Sequence, residues 1–198
     1  ANGAQLYDLH GDRVLEEWAM TVEIQREIVS RLRSNIPHVS FAVEYRDEFH
    51  HEKSYVPRWD VGIDVQPVDK IEERMTEPAF KMLARCSNYE MPSDEMLRIS
   101  QLTCGEIATI THSNAKESLI EISAVGVSKG NTLAKMAERA GISPEDAVTF
   151  GDNPNDFSML QWAQRSWTFE DAHPDAKNHA KFVTAAHTDD GVAQIIEE

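Results

Sequence analysis

The sequence predicts an α/β protein. A parallel strand-and-helix core, carried by residues 1–18 and 121–198, is interrupted by an inserted antiparallel α+β layer over residues 19–120. Three observations predict this. In the last third, short apolar runs alternate with helical patterns, the order that builds a parallel sheet. In the middle, apolar and polar residues alternate with a period of two, the mark of an antiparallel sheet with one wet face. Finally, an acidic turn, Gly151-Asp152-Asn153-Pro154-Asn155-Asp156, follows the apolar run Ala147–Phe150 and precedes a helical pattern. Open α/β sheets bind ligands beyond the carboxyl ends of such strands.

The first expected elements are the arms of a hairpin, Gln5–Leu9 and Val14–Trp18, around His10-Gly11-Asp12. A helix follows over Thr21–Arg33, with Ile24, Ile28 and Leu32 at spacing four and Val29 beside them; Asn35 and Pro37 end it. Val39, Phe41, Val43 and Tyr45 then alternate with Ser40, Ala42, Glu44 and Arg46, a half-buried strand. Residues 47–78 carry the weakest signal. The cluster Asp47, Glu48, His50, His51 and Glu52 has metal-ligating residue types, but adjacent side chains of a strand point to opposite faces, so His50 and His51 do not readily share an ion.

Pro57 and Trp59 mark a loop, and Val68–Arg74 a short helix. Phe80, Met82 and Ala84 alternate with Lys81 and Arg85 in another strand. Ser93 is expected to cap a helix that has Asp94 and Glu95 in its first turn, buries Met96 and Ile99, and stops at Gly105. Glu106–Thr111 and Leu119–Ile122 read as hairpin arms. The helix Asn131–Ala140 carries a stripe of Leu133, Met136, Ala137 and Ala140, and Gly141 and Pro144 terminate it. Strand 147–150, helix 155–164, strands Ser166–Phe169 and Phe182–Thr184, and a helix over 191–197 complete the chain.

The 198 residues are 41% hydrophobic, enough for a globular core, and carry a net charge of −15 with a pI near 4.9. Such a field repels phosphate backbones, so neither nucleic acid nor an anionic membrane is an expected partner. A small phosphorylated substrate remains compatible where a bound cation and Lys129 reverse the local sign. The two cysteines, Cys86 and Cys104, do not suggest a secreted disulfide scaffold, and reduced thiols in a cytoplasmic protein are the simpler expectation.

The acidic turn offers the oxygen ligands that a hard cation such as Mg²⁺ takes, in Asp152 and Asp156. Asn155 can cap the next helix or bond a phosphate oxygen. Upstream, Ser128 is an expected N-cap, which puts Lys129 in the first turn, against the helix dipole. An anion at that helix end would account for it, with the ammonium and the backbone N–H groups facing one phosphate.

Together, Val127-Ser128-Lys129-Gly130, the Gly-Asp-x-x-Asn-Asp run at 151–156, Ala172-His173-Pro174 and Asp189-Asp190-Gly191-Val192 resemble the haloacid-dehalogenase-like (HAD) phosphatases, Cof-type subfamily. Asn2-Gly3-Ala4 with Leu6-Tyr7-Asp8 is similar to that subfamily's segment before its cap domain. The resemblance implies a Rossmannoid core with a C2-type cap, and a Mg²⁺-dependent phosphatase acting on a small phosphorylated metabolite through an aspartyl-phosphate. It implies catalytic roles for Lys129, Asp152 and Asp156, phosphate contacts from Lys129 and Asn155, and metal ligation by Asp152 and Asp156.

The family's Asp-x-Asp nucleophile motif and its Ser/Thr motif are not found in this sequence, and Asp8 and Asp12 do not follow a buried apolar strand. Both motifs are therefore expected on a preceding segment of roughly sixty residues, two strand-plus-helix units, and the 198 residues alone are expected to be inactive. A non-catalytic binding module of the same fold is the alternative. Three departures from the family pattern stand out. Val125 occupies a position where many members have lysine, which leaves Lys129 as the phosphate-facing ammonium. Trp167–Asp171 replaces a run that is usually small and apolar, and Asp171 stands where asparagine is usual, adding negative charge. His173 and His179 are expected to be structural or at the surface.

Overall fold

A computed structural model describes residues 2–46, 48–57, 66–86 and 91–197. Among these the chain forms two compact units, which divide between Val127 and Ser128. The expectations for Asp47 and Trp59 lie outside the described residues.

The first unit opens with a hairpin, β1 (Gln5–Asp8) and β2 (Arg13–Glu17). Asp8 shapes its turn: one carboxylate oxygen accepts the N–H groups of His10 and Gly11 at 3.1 and 3.0 Å. Next comes α1 (Val22–Asn35), capped by Thr21, whose hydroxyl accepts the Ile24 N–H. Then follow β3 (Val39–Glu44), β4 (Phe49–His51), a 3₁₀ turn at Ile71–Glu73, β5 (Lys81–Cys86), α2 (Ser93–Cys104), β6 (Ala108–Thr111) and β7 (Leu119–Ala124). The sheet order is β4-β3-β5-β7-β6, antiparallel throughout, and β7 is hydrogen-bonded to β5 and β6 across residue 121.

Ile28, Val29 and Leu32 of α1 and Met96 and Cys104 of α2 pack on Phe41, Val43, Met82, Ala84, Ile120 and Ile122 of the sheet. Each of the larger chains among them contributes about 1.5–3 kcal/mol by leaving water. Glu52, 1% exposed, accepts the Phe41 and Ile71 N–H groups at 3.1 and 2.9 Å and pairs with Arg33, tying sheet edge, 3₁₀ turn and α1 together. His50 and His51 have separate partners, the Glu48 carboxylate at 2.6 Å and the Glu52 carbonyl at 2.9 Å.

Two local expectations change here. β3 is buried on both faces, not half-wet, because Ala42 on its second face is covered by Phe49, Tyr55, Leu83 and Leu119. Pro92, not Ser93, holds the cap position of α2; Ser93 is the first helical residue, and its hydroxyl accepts the Leu119 N–H at 3.2 Å. Cys86 and Cys104 are buried thiols with no disulfide between them, and burial pushes the Cys104 thiol above its ordinary value.

The second unit contains α3 (Lys129–Ala140), β8 (Val148–Phe150), a 3₁₀ turn at Pro154–Asp156, α4 (Phe157–Trp162), β9 (Arg165–Phe169), α5 (Ala176–His179), β10 (Phe182–Thr184) and α6 (Gly191–Ile196). Its sheet, β10-β9-β8, is parallel. Gly141 ends α3 in the left-handed region, φ +67°, where glycine carries no Cβ penalty. The inward residues of α3 are Gly130, Thr132 and Ala137, whereas Met136 is 42% exposed and Ala140 lies open. Of the expected stripe, Ala137 is buried and Leu133 partly so, while Gly130, outside the stripe, makes the close approach to α4. Among the described residues, no helix is long and apolar enough to cross a membrane.

Candidate active site

The acidic turn leaves β8 and runs directly into α4. Gly151 is needed at its start: a Cβ there would lie 2.4 Å from the Asp156 Cβ. Asp156 therefore folds back beneath the turn, and one of its oxygens accepts the main-chain N–H of Asp152 at 3.1 Å and that of Asn153 at 3.5 Å. Its other oxygen receives the Lys129 ammonium at 2.5 Å. The Asp156 side chain is 8% exposed and that of Lys129 34%. Three of the four residues expected at the site are thus linked through Asp156, across 27 positions of sequence.

Asp152 projects from the same turn into solvent. The Asn153 side-chain amide donates to its Oδ2 at 2.6 Å, and its carbonyl accepts the His173 N–H at 2.9 Å. The Asp152 carboxyl is pushed above the ordinary aspartate value, first because the surrounding chain strips part of its hydration and then because the Asp156 charge is close; Lys129 opposes the shift. Asn155, the fourth expected residue, is half-buried, and its side-chain oxygen is buried without a hydrogen-bond partner. A buried acceptor left open in this way is uncommon in folded proteins.

The start of α3 departs from expectation in one respect. Ser128 does cap it, accepting the Asn131 N–H at 3.1 Å. The Gly130 N–H, however, goes to the Ser158 hydroxyl of α4 at 3.0 Å. These two N–H groups are satisfied by hydroxyls and do not face an incoming phosphate. Likewise, the anion that accounts for a lysine in the first turn is the Asp156 carboxylate of this same chain. Asn153 and Ser158 were not singled out from the sequence. Asn153 lay within the motif, but Ser158 gave no signal beyond being a small polar residue in a helix.

Asp171 is engaged by His187, through the backbone N–H at 3.3 Å and through the ring. His173 and His179 flank Phe157, one edge-on at 6.0 Å and the other stacked at 4.1 Å between ring centroids. Both rings thus pack on Phe157 next to the turn.

An ammonium and two carboxylates at the carboxyl end of a parallel strand suit the handling of a phosphoryl group together with a cation. Sequence comparison decides the lineage. A profile of the haloacid dehalogenase-like hydrolases matches residues 1–196. The chain belongs to this family. The Cof-type motifs quoted above lie inside the match.

Among similar HAD-like hydrolases, pyridoxal phosphate phosphatase YbhA of Escherichia coli is 27% identical over 208 residues, covering 98% of this chain and 74% of that protein. The 5-amino-6-(5-phospho-D-ribitylamino)uracil phosphatase YwtE of Bacillus subtilis is 28% identical over 136 residues, covering 68% of this chain and 46% of its own length. The HAD subclass IIB sugar phosphatase BT4131 superposes with a TM-score of 0.78 at 20% identity, covering 99% of this chain and 72% of that one. A haloacid dehalogenase-like hydrolase from B. subtilis gives 0.78 at 20% identity, covering 100% of this chain and 77% of its own. At such identities the structural likeness speaks for the fold: a mixed α/β chain with a parallel sheet.

Proposed function

We propose that this HAD-like hydrolase is a Mg²⁺-dependent phosphoric monoester hydrolase acting on a small phosphorylated metabolite in the cytoplasm. The observation that carries the reading is the double engagement of Asp156, by the Lys129 ammonium on one oxygen and by the main chain of the acidic turn on the other. This arrangement fixes a cation beside an outward carboxylate, Asp152, before substrate arrives.

The donors fit Mg²⁺. Asp152 and the open Asn155 oxygen are hard oxygen ligands, and the crowding that raises the Asp152 value is relieved by a nearby positive charge. In this reading Asp152 holds the metal directly, and Asp156, its oxygens already engaged, shapes the surrounding shell. When bound, the metal would neutralise charge on the phosphoryl oxygens. Lys129 would face the transferring group and stabilise the charge it develops. Asn155 would orient the phosphate or a water on it.

By the family resemblance, the attacking carboxylate is the first aspartate of an Asp-x-Asp motif on a segment preceding residue 1. It would displace the leaving alcohol in line, forming an aspartyl-phosphate that water then hydrolyses. The five-stranded layer is proposed as the cap that selects the substrate. The similar phosphatases named above act on a pyridoxal phosphate, a phosphoribityl-aminouracil and a sugar phosphate, which supports small phosphorylated metabolites as the class.

The test assays p-nitrophenyl phosphate hydrolysis by the natural full-length protein, with Mg²⁺ and with excess EDTA, beside residues 1–198 alone. Turnover that needs both the metal and the longer chain is expected. Equal turnover in EDTA would refute the metal reading, and equal turnover by the 198 residues would refute the upstream nucleophile.

A further inference from the structure

The first turn of α3 is held by two serines from different places. Ser128 accepts the Asn131 N–H, as an ordinary cap does. The Gly130 N–H is taken by Ser158, 28 residues further along, on the first turn of α4. No side chain separates the two helices at this point: a Cβ on Gly130 would lie 2.3 Å from the carbonyl carbon and oxygen of Ser158 and 2.7 Å from the Met159 nitrogen. Gly130 is buried, so its N–H has no water to fall back on.

Resting on the phosphatase reading above, we propose that Ser158 is a positioning residue for the reaction. It sets where Lys129 stands over Asp156 by fixing the start of α3 on α4. Lys129 immediately precedes Gly130, and Asp156 lies two positions before Ser158. The hydroxyl bond and the ion pair are therefore two adjacent rungs between the same two chain segments. The Lys129 ammonium is already held at its far end by Asp156, so a shift of the backbone at 129–130 is passed to that contact. Without the Ser158 acceptor, the buried Gly130 N–H must seek another partner, and the start of α3 moves with it. Misplacing a catalytic group by about 1 Å can cost about a hundredfold in rate.

The test compares Ser158→Ala and Ser158→Thr in the natural full-length protein, with p-nitrophenyl phosphate and Mg²⁺. Ser158→Ala should lower kcat roughly ten- to a hundredfold while KM moves by less than about threefold, as expected when a group acting on the transition state is displaced. Ser158→Thr, which keeps a hydroxyl, should stay within about threefold of the parent. Amide hydrogen exchange gives a readout that needs no turnover: Gly130 should exchange at least about tenfold faster in Ser158→Ala and remain protected in Ser158→Thr.

An unchanged kcat or unchanged Gly130 protection in Ser158→Ala would overturn the proposal, as would a change confined to KM. If Ser158→Ala does not fold, the near-isosteric Ser158→Cys takes its place; its thiol is a poor acceptor, and a kcat equal to the parent's would overturn the proposal as well. An inactive parent protein would refute the phosphatase reading itself, and the exchange data would still decide whether Ser158 holds Gly130.

Discussion

The two units of this chain are held together by different means. Of the twelve largest fully buried side chains among the described residues, only Leu160 belongs to the second unit. The first unit is a filled sandwich of sheet and helices. The second relies on close backbone approaches and polar ties: Gly130 seated on α4, Gly151 over Asp156, and the Thr184 hydroxyl donating to the Gly191 carbonyl at 2.9 Å. It also leaves Met136, Val148, Phe182 and Val183 between 42% and 51% exposed. The candidate chemistry sits in the sparsely filled unit. Substitutions in the first unit should therefore act mainly on stability, and those at the acidic turn mainly on turnover.

The largest expected effect tests the filled side. Phe41 is fully buried between the α1 side chains and the sheet. Phe41→Ala should cost about 3–5 kcal/mol, transfer and cavity together, read from denaturant unfolding. A loss under about 1 kcal/mol would mean the sandwich repacks freely, and the contrast between the units would weaken.

Lys129→Ala comes next, and it blurs the contrast in an instructive way. From the sequence alone, a lysine in the first turn of a helix gains little from its surroundings, so its loss should spare the fold. The ion pair with Asp156 changes that expectation. Removing the ammonium leaves a carboxylate oxygen with little solvent, at a cost of about 1–3 kcal/mol, alongside a fall in kcat of roughly a hundredfold or more. A kcat equal to the parent's with reduced Tm would make Lys129 a purely structural partner of Asp156.

Gly151→Ala should show a smaller penalty, about 1–3 kcal/mol from overpacking against Asp156, together with weakened turnover because the acidic turn must shift. Parent-like Tm and kcat would show that Asp156 moves aside without consequence.

The smallest expected effect has the opposite sign. A carboxyl whose folded value is raised binds its proton more tightly in the folded state. Its contribution to stability is fully present below the unfolded aspartate value, about 3.9, and is lost as pH rises through the raised folded value. Asp152 is such a group. Without metal, Asp152→Asn should therefore be slightly more stable than the parent at neutral pH, by no more than a few tenths of a kcal/mol once solvent screening is allowed for. It should also show a flatter decline of Tm with pH above the aspartate range. A variant less stable than the parent at neutral pH would contradict the crowding inferred at Asp152.

The fold was largely legible because its signals are local. The Ser128 cap, the alternation through β3 and β5, and the stop at Gly141 each act within a few residues. What was not legible depends on distant partners. The second face of β3 is covered partly by Tyr55, more than ten positions away, so alternation alone suggested water there. The stripe on α3 held at Ala137 but not at Met136 or Ala140, and the close fit of Gly130 against α4 is invisible to a hydrophobic periodicity. At the site, the Asp152–Asp156 motif could be read directly, but the partner of Lys129 could not. A lysine in the first turn of α3 calls for an anion, and Asp156 supplies one from within the chain.

The central claim is that the outward carboxylate of Asp152, beside the pre-formed Lys129–Asp156 pair, holds a divalent metal. The most direct measurement is calorimetric titration of Mg²⁺ into the natural full-length protein and into its Asp152→Asn variant, in the absence of substrate. The parent should bind Mg²⁺ at one site and gain Tm with metal concentration, whereas Asp152→Asn should lose both responses while remaining folded. Equal Mg²⁺ affinity in the two proteins would contradict the assignment.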